Sequence, residues 1–164
     1  MTAIQVSVDV ARPVRTVYNQ WTQFESFPAF MAGVDRVVQK GDTHARWETS
    51  IGGVKREFDT EITEQRPDER IAWTSLDEPK HGGVVTFHRL DDHSTRVHLH
   101  MEYEPHSIPE KAGAALGVVQ HRIKGDLNRF REYIEHRQVE TGEWRGSVAM
   151  PRQHDAGAKP GSPQ

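Results

Sequence analysis

Ile4, Val6, Val8 and Val10 alternate with Gln5, Ser7 and Asp9 at the start of the chain. That period of two predicts a strand with one buried face and one wet face. Pro13 follows, a residue favoured at the first position of a helix. Val14, Val17, Tyr18 and Trp21 then recur at i, i+3, i+4 and i+7, the apolar stripe of a short amphipathic helix. A second helical turn crowded with aromatics, Phe24 to Met31, comes next.

Six further stretches carry the period of a strand, and two glycine-bearing turns separate the first three. Val34 to Lys40 closes on Gly41-Asp42. His44 to Ile51 puts Ala45, Trp47, Thr49 and Ile51 on one face, and Gly52-Gly53 supplies a hairpin turn. Val54 to Arg66 sets Val54, Arg56, Phe58, Thr60 and Ile62 against Lys55, Glu57, Asp59 and Glu61, so its odd face is solvent. Pro67-Asp68 turns the chain into Arg70 to Ser75, which presents Ile71 and Trp73. A loop from Asp77 to Gly82 leads into Gly83 to Leu90. The last strand, Thr95 to Tyr103, sets Val97, Leu99, Met101 and Tyr103 against Arg96, His98, His100 and Glu102. Directly opposed residues of a hairpin share a face. For Val85 and Phe87 to lie with Leu99, the connection between these two strands needs an odd number of residues, three or five.

From about Pro109 to Arg137 the period changes. Ala112, Leu116, Val119, Ile123, Leu127, Phe130 and Ile134 mark one long helix, about 40 Å at 1.5 Å per residue. The apolar pattern fades from Thr141. The reading divides the chain into a domain over residues 1–140 and a flexible tail over 141–164, with Trp144 as the tail's one large apolar side chain.

Composition narrows the function classes. The 164 residues carry a formal net charge of −3 and no cysteine. There is thus no strong field to draw nucleic acid, and no disulfide or thiolate chemistry. No run approaches the ~20 apolar residues of a membrane span. The expectation is a cytoplasmic protein without membrane insertion or nucleic-acid partner, monomer or homodimer being left open. No nucleophile motif, phosphate-cradling loop or helical His-Glu-x-x-His is present, and no cofactor is expected. Ten histidines invite a metal reading. His88, His98 and His100 have the outward phase of their strands, so no metal site is expected.

The order of elements is that of a helix-grip domain, an α+β fold in which a seven-stranded antiparallel sheet curls around a long C-terminal helix. Ala11 to Trp21, Phe24 to Met31 with Val34, Glu64 to Trp73, Gly83 to Phe87, Gly117 to Val119 and Gly125 to Phe130 carry a closer likeness. Over about residues 3 to 137 the chain resembles the START-like (SRPBCC) superfamily, and within it the polyketide cyclase/dehydrase and coenzyme-Q-binding START-like group. The resemblance implies a cavity between the terminal helix and the sheet. Its relatives include lipid carriers, quinone binders and aromatase/cyclases.

On that frame Trp47, Phe58, Trp73, Phe87, Leu99 and Met101 form an apolar inner wall. Arg56 shares the inward phase of Phe58 and Ile62, and a guanidinium there needs a partner. Thr60, Thr49 and Tyr103 are the other inward polar groups, suited to orienting a ligand by hydrogen bonds. Gly113 and Gly117, one turn apart on the terminal helix, would leave room at the pocket. The leading expectation is a carrier or sensor of a small hydrophobic molecule: a lipid, a quinone or a polyketide-like aromatic. An aromatase/cyclase or dehydratase using Arg56 or Tyr103 is the enzymatic alternative, and a protein-interaction module the third.

Overall fold

The computed structural model describes residues 2–51, 53–78, 80–104 and 112–149, with the backbone alone at 2, 51 and 112–116. Period-2 segments become seven strands: β1 (Thr2–Val10), β2 (Val34–Lys40), β3 (His44–Ile51), β4 (Val54–Arg66), β5 (Arg70–Ser75), β6 (His81–Asp91) and β7 (Ser94–Tyr103). They form one antiparallel sheet in the order β1-β7-β6-β5-β4-β3-β2. Helix α1 (Val14–Trp21) and a 3₁₀ helix (Phe24–Ala29) link the two edge strands. Helix α2 (Ala112–Arg137) follows β7. The expected start of α2 at Pro109, and Gly52 of the expected hairpin turn, lie outside the described residues.

Alternation does what it predicted. Ile4, Val6, Val8 and Val10 are buried, as are Phe58, Thr60 and Ile62 of β4 and Val97 and Leu99 of β7. His98 and His100 lie on the other face. His98 is hydrogen-bonded to Ser7 Oγ and Gln5 Oε1, and His100 to Glu102. The α2 stripe ends in Leu127, Phe130 and Ile134, all essentially inaccessible.

Two bulges alter the register. In β6–β7, Phe87 faces Val97 and Arg89 faces Thr95, but Asp91 faces Ser94. The loop is therefore two residues, Asp92-His93, and Leu90 is the extra one. The odd count that phase requires is met by a bulge rather than by a longer loop. In β4, Ile62 faces Trp73 and Glu64 faces Ala72, so Thr63 is extra. Beyond it the inward phase moves to an odd position, and Gln65 is 1% exposed. Its side-chain amide donates to Tyr18 Oη at 2.9 Å.

The tail expected from Thr141 is corrected for residues 141–149, which pack on α1 as a strap. Gln138, at φ 74°, ends α2 and reverses the chain. Asn19 Nδ2 donates to Glu140 at 2.8 Å, and Arg145 donates to Asn19 Oδ1 at 2.5 Å. Gln20 takes the Thr141 N–H and gives its own amide to the Thr141 hydroxyl. Trp144 N–H donates to Thr22 Oγ1. Arg145 also pairs with Asp68 at 2.8 Å and lies over the Tyr18 ring. Val148 exchanges both backbone hydrogen bonds with Gln65, at 2.7 and 2.9 Å. The physical reason is polar satisfaction: Asn19 and Gln20 of α1 and its cap Thr22 are buried, and buried polar groups need partners. Residues 150–164 lie outside the description.

Candidate functional site

The inner face of the sheet is divided. Over β6 and β7 it is covered by α1 and filled. Tyr18 and Trp21 stand edge-on to Phe87, with ring centroids 5.2 and 6.2 Å away. Over β3, β4 and β5 it is roofed by the 3₁₀ helix and α2, and there an apolar cavity of about 200 Å³ remains. Trp21, Phe24 and Phe27 make part of its wall, Trp47, Phe58 and Trp73 another, and Ile123 and Leu127 of α2 a third. Edge-to-face contacts fix this wall: Phe27 meets Trp47 at 5.7 Å, Trp21 and Phe24 at 5.3 and 5.4 Å. Trp47 stacks on Phe58 at 6.3 Å. Such pairs hold ring positions beyond what burial alone does.

Of the residues expected to meet a ligand, Trp47, Phe58, Thr60, Trp73, Leu99 and Met101 line this cavity together, as does Thr49. Trp47, Trp73, Val119 and Ile123 are only partly buried. Four expected site residues are not brought to the cavity wall. Phe87 is filled core beneath α1. Arg56, opposite Thr49 near the end of the β3–β4 hairpin, is half-buried and does not line the void. Its long chain lets the guanidinium follow water. Tyr103 is buried at the β1–β7–β6 end of the sheet, opposite Thr2 and His81. Gly117 is exposed, and a Cβ there would meet nothing within 4 Å; it sits on the outer side of α2. The surroundings of Gly113, and the burial expected for Leu116, lie outside the described residues.

The polar groups of the wall are mostly engaged. Trp47 Nε1 donates to Thr60 Oγ1 at 2.8 Å, and Thr49 Oγ1 donates to the Arg56 carbonyl at 3.4 Å. Asp126 Oδ1 accepts from the Ala32 N–H at 3.1 Å and from the Arg129 guanidinium. His81 is the residue that reading the sequence missed, because it was placed in the loop before β6. The strand starts two residues earlier, and His81 has the inward phase of Gly83, Val85 and Phe87. The available signal was the glycine pair Gly82-Gly83 facing a tryptophan strand. Gly83 pairs with Trp73, and a Cβ on it would come within 2.7 Å of that indole and 2.5 Å of the His100 carbonyl. Glycine is thus what lets Trp73 lie across β6.

Trp73 Nε1 donates to His81 Nδ1 at 3.3 Å, and the imidazole stands edge-on to Phe58 at 4.9 Å. Burial, which disfavours the cation, lowers the His81 pKa from 6.5 to about 4. The other titratable groups on the wall are Asp42, His44 and Asp126. Between pH 6.5 and 4 the unfolded chain holds a proton on His81 that the folded one does not, so stability is full above about pH 6.5 and falls as the medium acidifies towards pH 4. At pH 4.5 this one group is expected to remove about 2–3 kcal/mol relative to pH 7. Urea midpoints at the two pH values test it, since His81→Phe should show a smaller acid loss than the parent. An equal loss in both proteins would mean that His81 titrates normally.

Comparison with known proteins agrees with this arrangement. The family described as polyketide cyclase/dehydrase and lipid transport matches residues 10–131. The chain is 56% identical over 149 residues to an uncharacterised 17.2 kDa protein of Streptomyces lincolnensis, covering 90% of this chain and 99% of that one. Among solved structures, the Zhui aromatase/cyclase from Streptomyces sp. R1128 superposes with a TM-score of 0.70 over 87% of this chain and 99% of that one, at 16% identity. A START superfamily protein from Mycobacterium smegmatis gives 0.62 over 82% and 95%, also at 16% identity. These two likenesses carry the fold alone. The family model covers most of the sheet and α2 and takes in nearly the whole cavity wall, and the chain belongs to the polyketide cyclase/dehydrase and lipid transport family of START-like proteins.

Proposed function

We propose that the protein binds a small hydrophobic molecule in the cavity between the sheet and helix α2, acting as a carrier or sensor. The observation that carries this reading is the void itself. Native cores are packed to crystal-like density, yet here aromatic side chains surround about 200 Å³ of unfilled space. An apolar void of roughly 150 Å³ accepts benzene, so this one suits one or two rings or a short acyl segment. A ligand burying about 200 Å² of apolar surface would gain roughly 5 kcal/mol before association costs. The family description also supports an aromatase/cyclase acting in the same cavity. Against that, Arg56 and Tyr103 stand off the wall, and Asp126, which lines it, already holds Ala32 and Arg129 through Oδ1.

The test is titration with bicyclic aromatic probes, following tryptophan fluorescence, since Trp21, Trp47 and Trp73 all line the void. Filling it with Ala45→Leu or Ile123→Trp is expected to weaken binding at least tenfold in protein that still melts cooperatively. Binding unchanged in both folded variants would place the ligand elsewhere. Conversion of a poly-carbonyl substrate, rather than its unaltered recovery, would favour the cyclase.

A further inference from the structure

Among the described residues, five buried side-chain nitrogen or oxygen atoms have no hydrogen-bond partner: Arg12 Nε, Asp59 Oδ1, Asp68 Oδ1, His81 Nε2 and Arg122 Nε. His81 alone of these residues lines the cavity. Its chemical state follows from its neighbour. An indole nitrogen is only a donor. The Trp73 N–H at 3.3 Å therefore requires the lone pair at Nδ1. A neutral imidazole with Nδ1 accepting must carry its proton on Nε2. The orphaned atom is a hydrogen-bond donor.

That donor is also fixed in place. The His81 backbone N–H donates to Ser75 Oγ at 3.0 Å. The ring is held by Trp73 at one nitrogen and meets Phe58 at 4.9 Å. Trp73 in turn is seated over Gly83. Resting on the reading of the cavity as a ligand site, we propose that His81 selects the ligand. Its Nε2–H donates to an uncharged oxygen acceptor, so the site takes ring compounds bearing a carbonyl at one edge in preference to the same skeleton without it. A buried donor left unpaired is costly, and an acceptor that satisfies it gains affinity out of proportion to its size. Trp47 holds Thr60 Oγ1 in place, Thr49 donates to a backbone carbonyl and Asp126 is itself an acceptor, whereas His81 Nε2 is buried without a partner.

The experiment pairs 1-tetralone with tetralin, two bicyclic molecules that differ by one carbonyl, against the full-length parent and His81→Phe. Water solvates the ketone better, so the informative quantity is the ratio of the two dissociation constants compared between proteins. That preference for the ketone is expected to fall about fivefold to tenfold in His81→Phe, with tetralin binding nearly unchanged. Trp73→Phe, which releases Nδ1 and leaves the tautomer unfixed, should give a smaller fall, and it keeps the test open if His81→Phe does not fold. Imidazole ¹⁵N NMR of the parent supplies a direct readout: the His81 Nε2–H signal should move on adding 1-tetralone and stay on adding tetralin. If both probes bind and the ratio is the same in parent and variant, the assignment to His81 fails while the cavity reading stands. If neither probe binds the parent, the cavity reading fails and takes this proposal with it.

Discussion

Cutting the chain after Val139 is expected to lower the melting temperature by about 10–20 °C, whereas cutting after Ala149 should leave it within a few degrees of the parent. The first cut removes every partner that the strap gives to α1 and β4. Asn19 loses Glu140 and Arg145, Gln20 loses both bonds to Thr141, and Thr22 loses the Trp144 N–H. The Gln65 backbone loses Val148, and Asp68 loses its ion pair with Arg145. Water replaces part of this, so each hydrogen bond counts only for its net ~0.5–1.5 kcal/mol. Adding the apolar surface under Trp144 and Val148 brings the loss to about 3–6 kcal/mol. For a chain of this length each kcal/mol is worth roughly 2–4 °C. Melting curves of the two truncations decide it. A protein ending at Val139 that melts with the parent would mean that the strap only rests on the surface.

The second large effect is expected at Phe130. Phe130→Ala should cost about 3–5 kcal/mol, measurable as a shift of the urea midpoint without change of slope. The ring is 0% exposed and stands edge-on to Trp21 at 4.9 Å and to Phe30 at 5.2 Å. It is thus where α2, α1 and the 3₁₀ segment are pinned to one another. The neighbouring Tyr133–Phe30 contact at 5.2 Å is too peripheral to close the hole. A cost under 1 kcal/mol would show that the three elements repack freely.

These effects separate what the sequence carried from what it hid. Strand positions were legible because each inner face is continuous over a whole strand: Phe58, Thr60 and Ile62 declare a side whatever lies opposite. The helix stripe from Val119 to Ile134 was legible for the same reason at a period of 3.6. A bulge leaves no comparable trace. Thr63 and Leu90 shift phase by one residue with no proline or glycine to announce it. Gln65 therefore looked like an outward residue of a solvated strand end. The strap was hidden because it is held by hydrogen bonds, which have no period. Its one signal was three polar residues in four at the end of α1 and its cap, Asn19, Gln20 and Thr22, where a helix on a sheet has its wet side. The division of the inner face into filled core and cavity was hidden too. Phe87 and Trp73 have the same phase and similar chemistry, and only the position of α1 over the sheet makes one core and the other wall.

The strap also bears on how these molecules behave in company. β4 runs for 13 residues and β3 for only 8. The last β3 pairing is His44 with Glu61, so the end of β4 projects past its neighbour. A projecting strand end offers unpaired N–H and C=O groups to any chain that passes, the usual starting point of edge-to-edge aggregation. Here Val148 occupies that position on Gln65. The C-terminal segment is in this sense a built-in substitute for a neighbouring molecule. Its removal would show first as self-association at high protein concentration, in protein that still holds its sheet and its cavity.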